Sequence, residues 1–248
     1  MIILKTKREI ELMREAGRIV AESHELVRKL IKPGISTKDL DRAVEEYIKS
    51  KNAVPAFKGY QGFPASICAS INDEVVHGIP SYRKLEEGDI ISVDIGSVID
   101  GYYGDGAKTH CVGKVDDEKK RLIEITKKSF YEGIKFAKEG YRLSDISHAV
   151  QNCVESAGFS VVRDFVGHGI GTNMHEAPQI PNFGKPNKGP RLQKGMVLAI
   201  EPMVNAGTYH VRILQNDWTV VTCDGKPSAH YEHSLAITDG EPYILTAL

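Results

Sequence analysis

An α+β fold is expected for these 248 residues, with a central antiparallel sheet, helices over one face and two halves of one design. Three observations lead there. Helical patterns precede strand patterns twice along the chain. The halves match each other at a nearly constant offset. A long hairpin is written around Asp100-Gly101, near the end of the first half.

The first helix comes from "REIELMREAGRIVAESHELVRKLI", residues 8–31. Ile10, Met13, Ala16 and Val20 recur there at helical spacing, and Pro33-Gly34 stops the run. Ser36-Thr37 opens a second helix to about Lys51. The pair recurs as "DDEKKRLIEITKKSFYEGIKFA" and "SDISHAVQNCVESAG", with Ser144 as N-cap and Gly158 as stop. Strand patterns follow each pair, at 90–99 and 102–112, then at 196–204, 210–214, 217–223 and 230–238.

The repeat rests on two matches. "KPGISTKDLDRAV" from Lys32 aligns with "KEGYRLSDISHAV" from Lys138, 106 positions on, and "LEEGDIISVD" (85–94) aligns with "LQKGMVLAIE" (192–201), 107 positions on. Both matches place the offset near half the length. The expectation is one domain, 1–248, whose halves (roughly 1–113 and 114–248) pack about a pseudo-twofold axis. Asp94 and Glu201 are then related positions.

Asp100-Gly101 between two apolar runs favours a two-residue hairpin. With Ile99 opposite Tyr102, Ile91 faces His110, Asp94 faces Ala107 and Gly96 faces Asp105. Alternation then puts Asp94 and Asp105 on one face as diagonal neighbours, ~7–8 Å apart between backbones. Two carboxylates so placed repel unless a cation sits between them, and Gly96 and Gly104 leave room for one.

Composition excludes several classes. Hydrophobic residues make up 41% and charged residues 26%, with a net charge of −1, so bulk charge gives no argument for nucleic-acid or anionic-membrane binding and leaves only local basic patches open. No apolar run approaches the ~20 residues that span a bilayer. The N-terminus turns charged within a few residues and reads as neither signal peptide nor anchor. Cys68, Cys111, Cys153 and Cys223 lie far apart, which suits a reducing cytoplasm.

Further metal-ligand candidates lie in the second half. His168 sits between two glycines in "FVGHGIGTNMH", with His175 seven residues on. Glu201 lies inside "LAIEPMV" and Glu232 inside "AHYEHSLAIT". An acid within an apolar strand needs a partner, and neither strand offers Lys or Arg. Asp94, Asp105, His168, Glu201 and Glu232 make an oxygen-rich set with one nitrogen, suited to hard or borderline divalent ions. Two such ions would activate water and polarise a carbonyl or phosphoryl group, so the set points to metal-assisted hydrolysis with the substrate open.

Those five residues, with "MREAGRIVA", "FKGYQGFPASICASINDEVVHGIP", "SVDIG", "GDGAKT", "VGHGIG", "AIEPM" and "AHYEH", closely resemble the type I methionine aminopeptidases in their bacterial short form. The likeness runs nearly end to end and implies the family's pita-bread fold. It implies removal of N-terminal methionine from nascent chains near the ribosome, with a small second residue preferred. Two divalent ions (cobalt, manganese, iron, zinc or nickel) would be ligated by the five residues, Asp105 and Glu232 bridging, with a bridging water as nucleophile and Glu201 as proton shuttle. His77 would contact the substrate amide, and His175 would stabilise the oxyanion or hold the second residue. Phe57, Tyr60, Phe63, Cys68, Met174 and Trp218 would wall an apolar methionine pocket, where a thioether gains from aromatic contact. Asn72, Glu74 and Ser228 would hold a monovalent cation through backbone oxygens. Phe57, Met174 and Gly106 depart from the residues usual in the family, and Gly106 is expected to loosen a turn after Asp105. A monomer without nucleic-acid or membrane contact is expected. The rivals are a proline-directed peptidase of the same fold and a non-enzymatic binder of nascent chains or RNA.

Overall fold

The computed structural model describes residues 1–248. Helix α1 (Lys7–Leu30) starts at a reciprocal cap: Glu9 N–H donates to Thr6 Oγ1, and Thr6 N–H donates to the Glu9 carboxylate. Its apolar stripe of Met13, Ala16, Val20 and Val27 is buried. Helix α2 (Thr37–Ser50) is capped by Ser36, whose hydroxyl accepts from Asp39 N–H. Five strands complete the first half: β1 (Val54–Pro55), β2 (Ile67–Ile71), β3 (Glu74–Val76), β4 (Ile90–Ile99) and β5 (Tyr102–Cys111).

The second half opens with α3 (Asp117–Ile134) and α4 (Leu143–Ser156). It continues through β6 (Ser160–Val161), β7 (Gly167–Gly169), β8 (Glu176–Ile180), β9 (Val197–Ile200) and β10 (Met203–Asn205). Then come β11 (Val211–Ile213), β12 (Val220–Thr222), β13 (Ser228–His230), β14 (His233–Ala236) and β15 (Tyr243–Ile244). Every strand pairing is antiparallel. The ladders are β1-β4-β2 with β5 on β4, β15-β14-β9-β7-β8, β13-β10-β6 and β11-β12-β3.

The four helices and antiparallel sheets match the expected class, and the repeat reaches down to single hydrogen bonds. Thr37 N–H donates to Arg83 O, and Leu143 N–H donates to Pro190 O. Leu85 N–H donates to Ile35 O, and Leu192 N–H donates to Tyr141 O. The bridge Ser36↔Lys84 returns as Arg142↔Arg191. Gly88 and Gly195 share the left-handed conformation, at φ 91° and 89°. One core lies between α1, α2 and the first-half sheet, around Val20, Leu40, Val44, Ile67, Ile91 and Val93. Another lies under α3 and α4, around Phe130, Ile146, Leu198, Ile200 and Leu235.

Several sequence expectations need correction. Ser144 is not the α4 cap: Arg142 holds that position, its N–H bonded to the Asp145 carboxylate, while the Ser144 hydroxyl donates to Lys188 O. The repeat gives the reason, because Arg142 is the counterpart of Ser36. The run 196–204 breaks at Glu201-Pro202, since proline lacks the N–H a ladder needs. The run 230–238 breaks at Tyr231-Glu232. The segments expected at 210–214 and 217–223 shorten to β11 and β12. Gly106 lies inside β5 opposite Ile95, not in a turn, so nothing is loosened there; its carbonyl accepts from His24 Nε2 at 2.7 Å.

Candidate metal centre

The hairpin is built as its turn residues dictate. Asp100 and Gly101 both take positive φ (50° and 80°), and the ladder runs without slip from Ile99↔Tyr102 to Ile90↔Cys111. Asp94 lies opposite Ala107 and Asp105 opposite Gly96, so the two carboxylates share a face. Gly96 also admits the Phe57 ring, since a Cβ there would stand 2.6 Å from Phe57 Cε1.

Glu232 arrives from the other half. Its N–H donates to Ala107 O at 2.8 Å, and Ala107 N–H returns a bond to Glu232 O at 3.3 Å. Two residues along, the Ser234 hydroxyl accepts from Asp105 N–H and donates to Asp105 O. These bonds hold Asp105 and Glu232 side by side across the junction of the halves. β9 and β14 pair Ile200 with His233, and β10 and β13 pair Met203 with His230. The same register on both sides of the breaks sets Glu201 across from Glu232.

His168 comes from β7, paired with Ala199 of β9. Its Nδ1 donates to Gly169 O at 2.9 Å, which leaves Nε2 with a lone pair. That nitrogen lies 3.7 Å from Asp105 Oδ2 and 3.6 Å from Glu201 Oε1. One ligand atom each from Asp105, His168 and Glu232 falls within 4.8 Å of the others. Burial raises the Asp94 carboxyl to about 7. It also raises Asp105, Glu201 and Glu232 well above the carboxylate range, with neighbouring carboxylates adding to each. Burial lowers His168 to about 4, keeping the imidazole neutral near pH 7. Asp94 Oδ1, Asp105 Oδ1 and Glu232 Oε1 are buried without hydrogen-bond partners. Carboxyl oxygens left without partners beside a neutral imidazole fit a divalent-cation site, since a bound cation would stabilise their ionised form.

A family model for metallopeptidase family M24 matches residues 11–239. The chain belongs to metallopeptidase family M24, on its methionine aminopeptidase branch. It is 60% identical over 246 residues to methionine aminopeptidase 1 of Bacillus subtilis, with 99% of each chain covered. It is 58% identical to the methionine aminopeptidase of Clostridium acetobutylicum at the same coverage. Among solved structures, the methionine aminopeptidase of Thermotoga maritima superposes with a TM-score of 0.98 at 48% identity, over the whole of both chains. The prolidase of Pyrococcus furiosus shares the fold alone: TM-score 0.79 at 23% identity, covering 99% of this chain and 66% of that one. The resemblance and the pita-bread fold read from the sequence are thus borne out.

In this M24 metallopeptidase the acidic cluster floors a cavity of about 420 Å³. All the expected wall residues line it: Phe57, Tyr60, Phe63, Cys68, Met174 and Trp218. Phe63 meets Trp218 edge to face at 5.1 Å, and Cys68 pairs with Asp94 across β2 and β4. His77, at φ 60°, lies edge-on to Trp218 and to Phe165. The His175 ring lies against that of His168, centroids 4.3 Å apart and planes tilted by 51°, and its Nδ1 is 2.8 Å from the Tyr60 hydroxyl. The structure also adds residues that the sequence reading missed. Gln61 and Gln179 line the cavity. His230 points Nε2 at Glu201 Oε2 (3.7 Å) and Glu232 Oε2 (4.0 Å). Little in the sequence pointed to it, because the strand stops between His230 and Glu232 and alternation does not carry across the break. Away from the cavity, Asn72 O accepts from Ser228 N–H at 2.8 Å, while the Glu74 carboxylate accepts from Ile71 N–H and pairs with Arg83.

No helix is long and apolar enough to cross a membrane.

Proposed function

We propose that this chain removes the N-terminal methionine from nascent proteins and peptides, preferring a small second residue. Residues 1–248 would act as a single catalytic unit, as a cytoplasmic monomer working near the ribosome without direct nucleic-acid contact. The observation that carries the reading is the adjoining of two unlike surfaces in one cavity, an aromatic and sulfur-lined wall and an anionic floor.

Asp94, Asp105, His168, Glu201 and Glu232 would hold two divalent ions. When bound, these would make a water nucleophilic near neutral pH and polarise the scissile carbonyl, and one would anchor the substrate's free amino terminus, as the neutral amine, which restricts cleavage to the first residue. The residues around them supply the remaining steps. Phe63 and Trp218 offer edge and face to the thioether. Glu201 takes the proton of the attacking water and returns it to the leaving amine nitrogen. With the Tyr60 hydroxyl donating to His175 Nδ1, the imidazole proton sits on Nε2, free to bond the developing oxyanion. His77 is placed for the substrate amide. A monovalent cation on carbonyls of Asn72, Glu74 and Ser228 belongs to the same proposal.

The test is to strip the protein with chelator and restore cobalt, manganese, iron, zinc or nickel singly. Met-Gly-Met is then assayed against Ala-Pro peptides. Methionine release that depends on added metal is expected, and preference for the Ala-Pro peptides would overturn the reading.

A further inference from the structure

His230 stands among the metal-site residues without belonging to the five-residue ligand set. Its ring is 2% exposed, and Nε2 is buried without a hydrogen-bond partner. That atom faces Glu201 Oε2 at 3.7 Å and Glu232 Oε2 at 4.0 Å. When both carboxylates are ionised, as metal ligands must be, a nitrogen lone pair aimed at them would be repelled, so the favourable tautomer carries its proton on Nε2 and makes it a donor.

The backbone beneath the ring is clamped. The Thr109 hydroxyl accepts from His230 N–H at 2.9 Å and donates to His230 O at 2.8 Å, and the Ser92 hydroxyl lies 2.8 Å from Thr109 Oγ1. On its other edge β13 pairs His230 with Met203. The first half of the chain thus fixes a residue of the second. The free oxygen of Glu201 is the nearer of the two targets, because Glu201 Oε1 faces His168. A separation of 3.7 Å is too long for a hydrogen bond, and catalytic bonds of this kind commonly tighten only in the working complex.

We propose that His230 is a positioning residue: its Nε2–H bonds Glu201 Oε2 and fixes the carboxylate so that Oε1 points to the metal cluster. This rests on the function proposed above for Glu201. Two substitutions separate donor from bulk. His230→Leu keeps volume and removes the N–H, whereas His230→Gln places an amide N–H at nearly the same reach. The expected result for His230→Leu is manganese affinity by calorimetry weakened roughly 10–100-fold, the range for lost outer-shell partners. Its kcat should fall with KM little changed, and His230→Gln should restore both quantities. Wild-type affinity and kcat in His230→Leu would overturn the proposal, as would equal losses in both variants. Should His230→Leu fail to fold, ¹⁵N shifts of the wild-type ring decide the matter. A protonated Nε2 is required, and an unprotonated one refutes the assignment. Affinity is read without substrate, so failure of the methionine reading would leave this comparison standing.

Discussion

The first half carries its two carboxylates on an unbroken hairpin of ten-residue strands, whereas the second carries its two where strands stop. Asp94 and Glu201 occupy matching places in the repeat, yet Asp94 sits within a ladder and Glu201 just beyond one, ahead of Pro202. A continuous strand delivers a short side chain at a fixed height above the sheet. A broken one lets a longer side chain reach into the cavity and keeps some freedom, and Glu201 retains 14% side-chain exposure. On the function proposed above, the difference separates a residue that would only hold from one that would also move a proton: Asp94 would serve as a fixed ligand, and Glu201 as a ligand with a second task.

The strongest test of that division is Glu201→Gln. It keeps the shape and hydrogen-bonding reach of the side chain and should cost roughly 10²–10⁴-fold in kcat with an unchanged far-UV spectrum, as loss of a proton shuttle does. Asp94→Asn removes the related group of the first half. In this case calorimetry should show one metal equivalent weakened, while turnover at saturating metal falls less than in Glu201→Gln. Reversed rankings would dissolve the proposed division.

A smaller effect should appear in stability against pH. Burial raises the Asp94, Asp105, Glu201 and Glu232 carboxyls above their unfolded values, so the folded, metal-free protein retains protons that the unfolded chain has released. Its stability therefore falls as pH rises from about 4 through about 7, and divalent ions should offset the loss. Differential scanning calorimetry of chelated and manganese-loaded protein should show a Tm gap that widens between about pH 5 and 8. A gap independent of pH would mean that the acids are not paired with cations. Smallest of all, His77→Ala should lower kcat/KM by about tenfold, the worth of one lost hydrogen bond of ~1.4 kcal/mol, with metal affinity intact. A loss of metal would place His77 in the ligand set.

Much of this centre was legible in the chain. Asp100-Gly101 forced a turn with positive φ at both residues, and from that one feature the face shared by Asp94 and Asp105 followed by counting. Local chemistry was enough because the register of a two-residue hairpin admits no slack. The ends of elements in the second half were not legible in the same way. Ser144 looked like a cap by residue type, but the bridge Arg142↔Arg191 brings the chain in two residues earlier, a tertiary fact. The apolar runs around Glu201 and Glu232 read as continuous strands, although each pauses at its acid. The contact of His230 with Glu201 depends on how β13 crosses the junction between halves, and hydropathy carries no trace of it.

The central claim is that both halves close one anionic cup around two divalent ions. Anomalous diffraction at the manganese edge, from crystals grown with excess manganese, tests it most directly. Two strong peaks are predicted, both within the group of Asp94, Asp105, His168, Glu201 and Glu232. Peaks elsewhere, or none among these five side chains, would contradict the account.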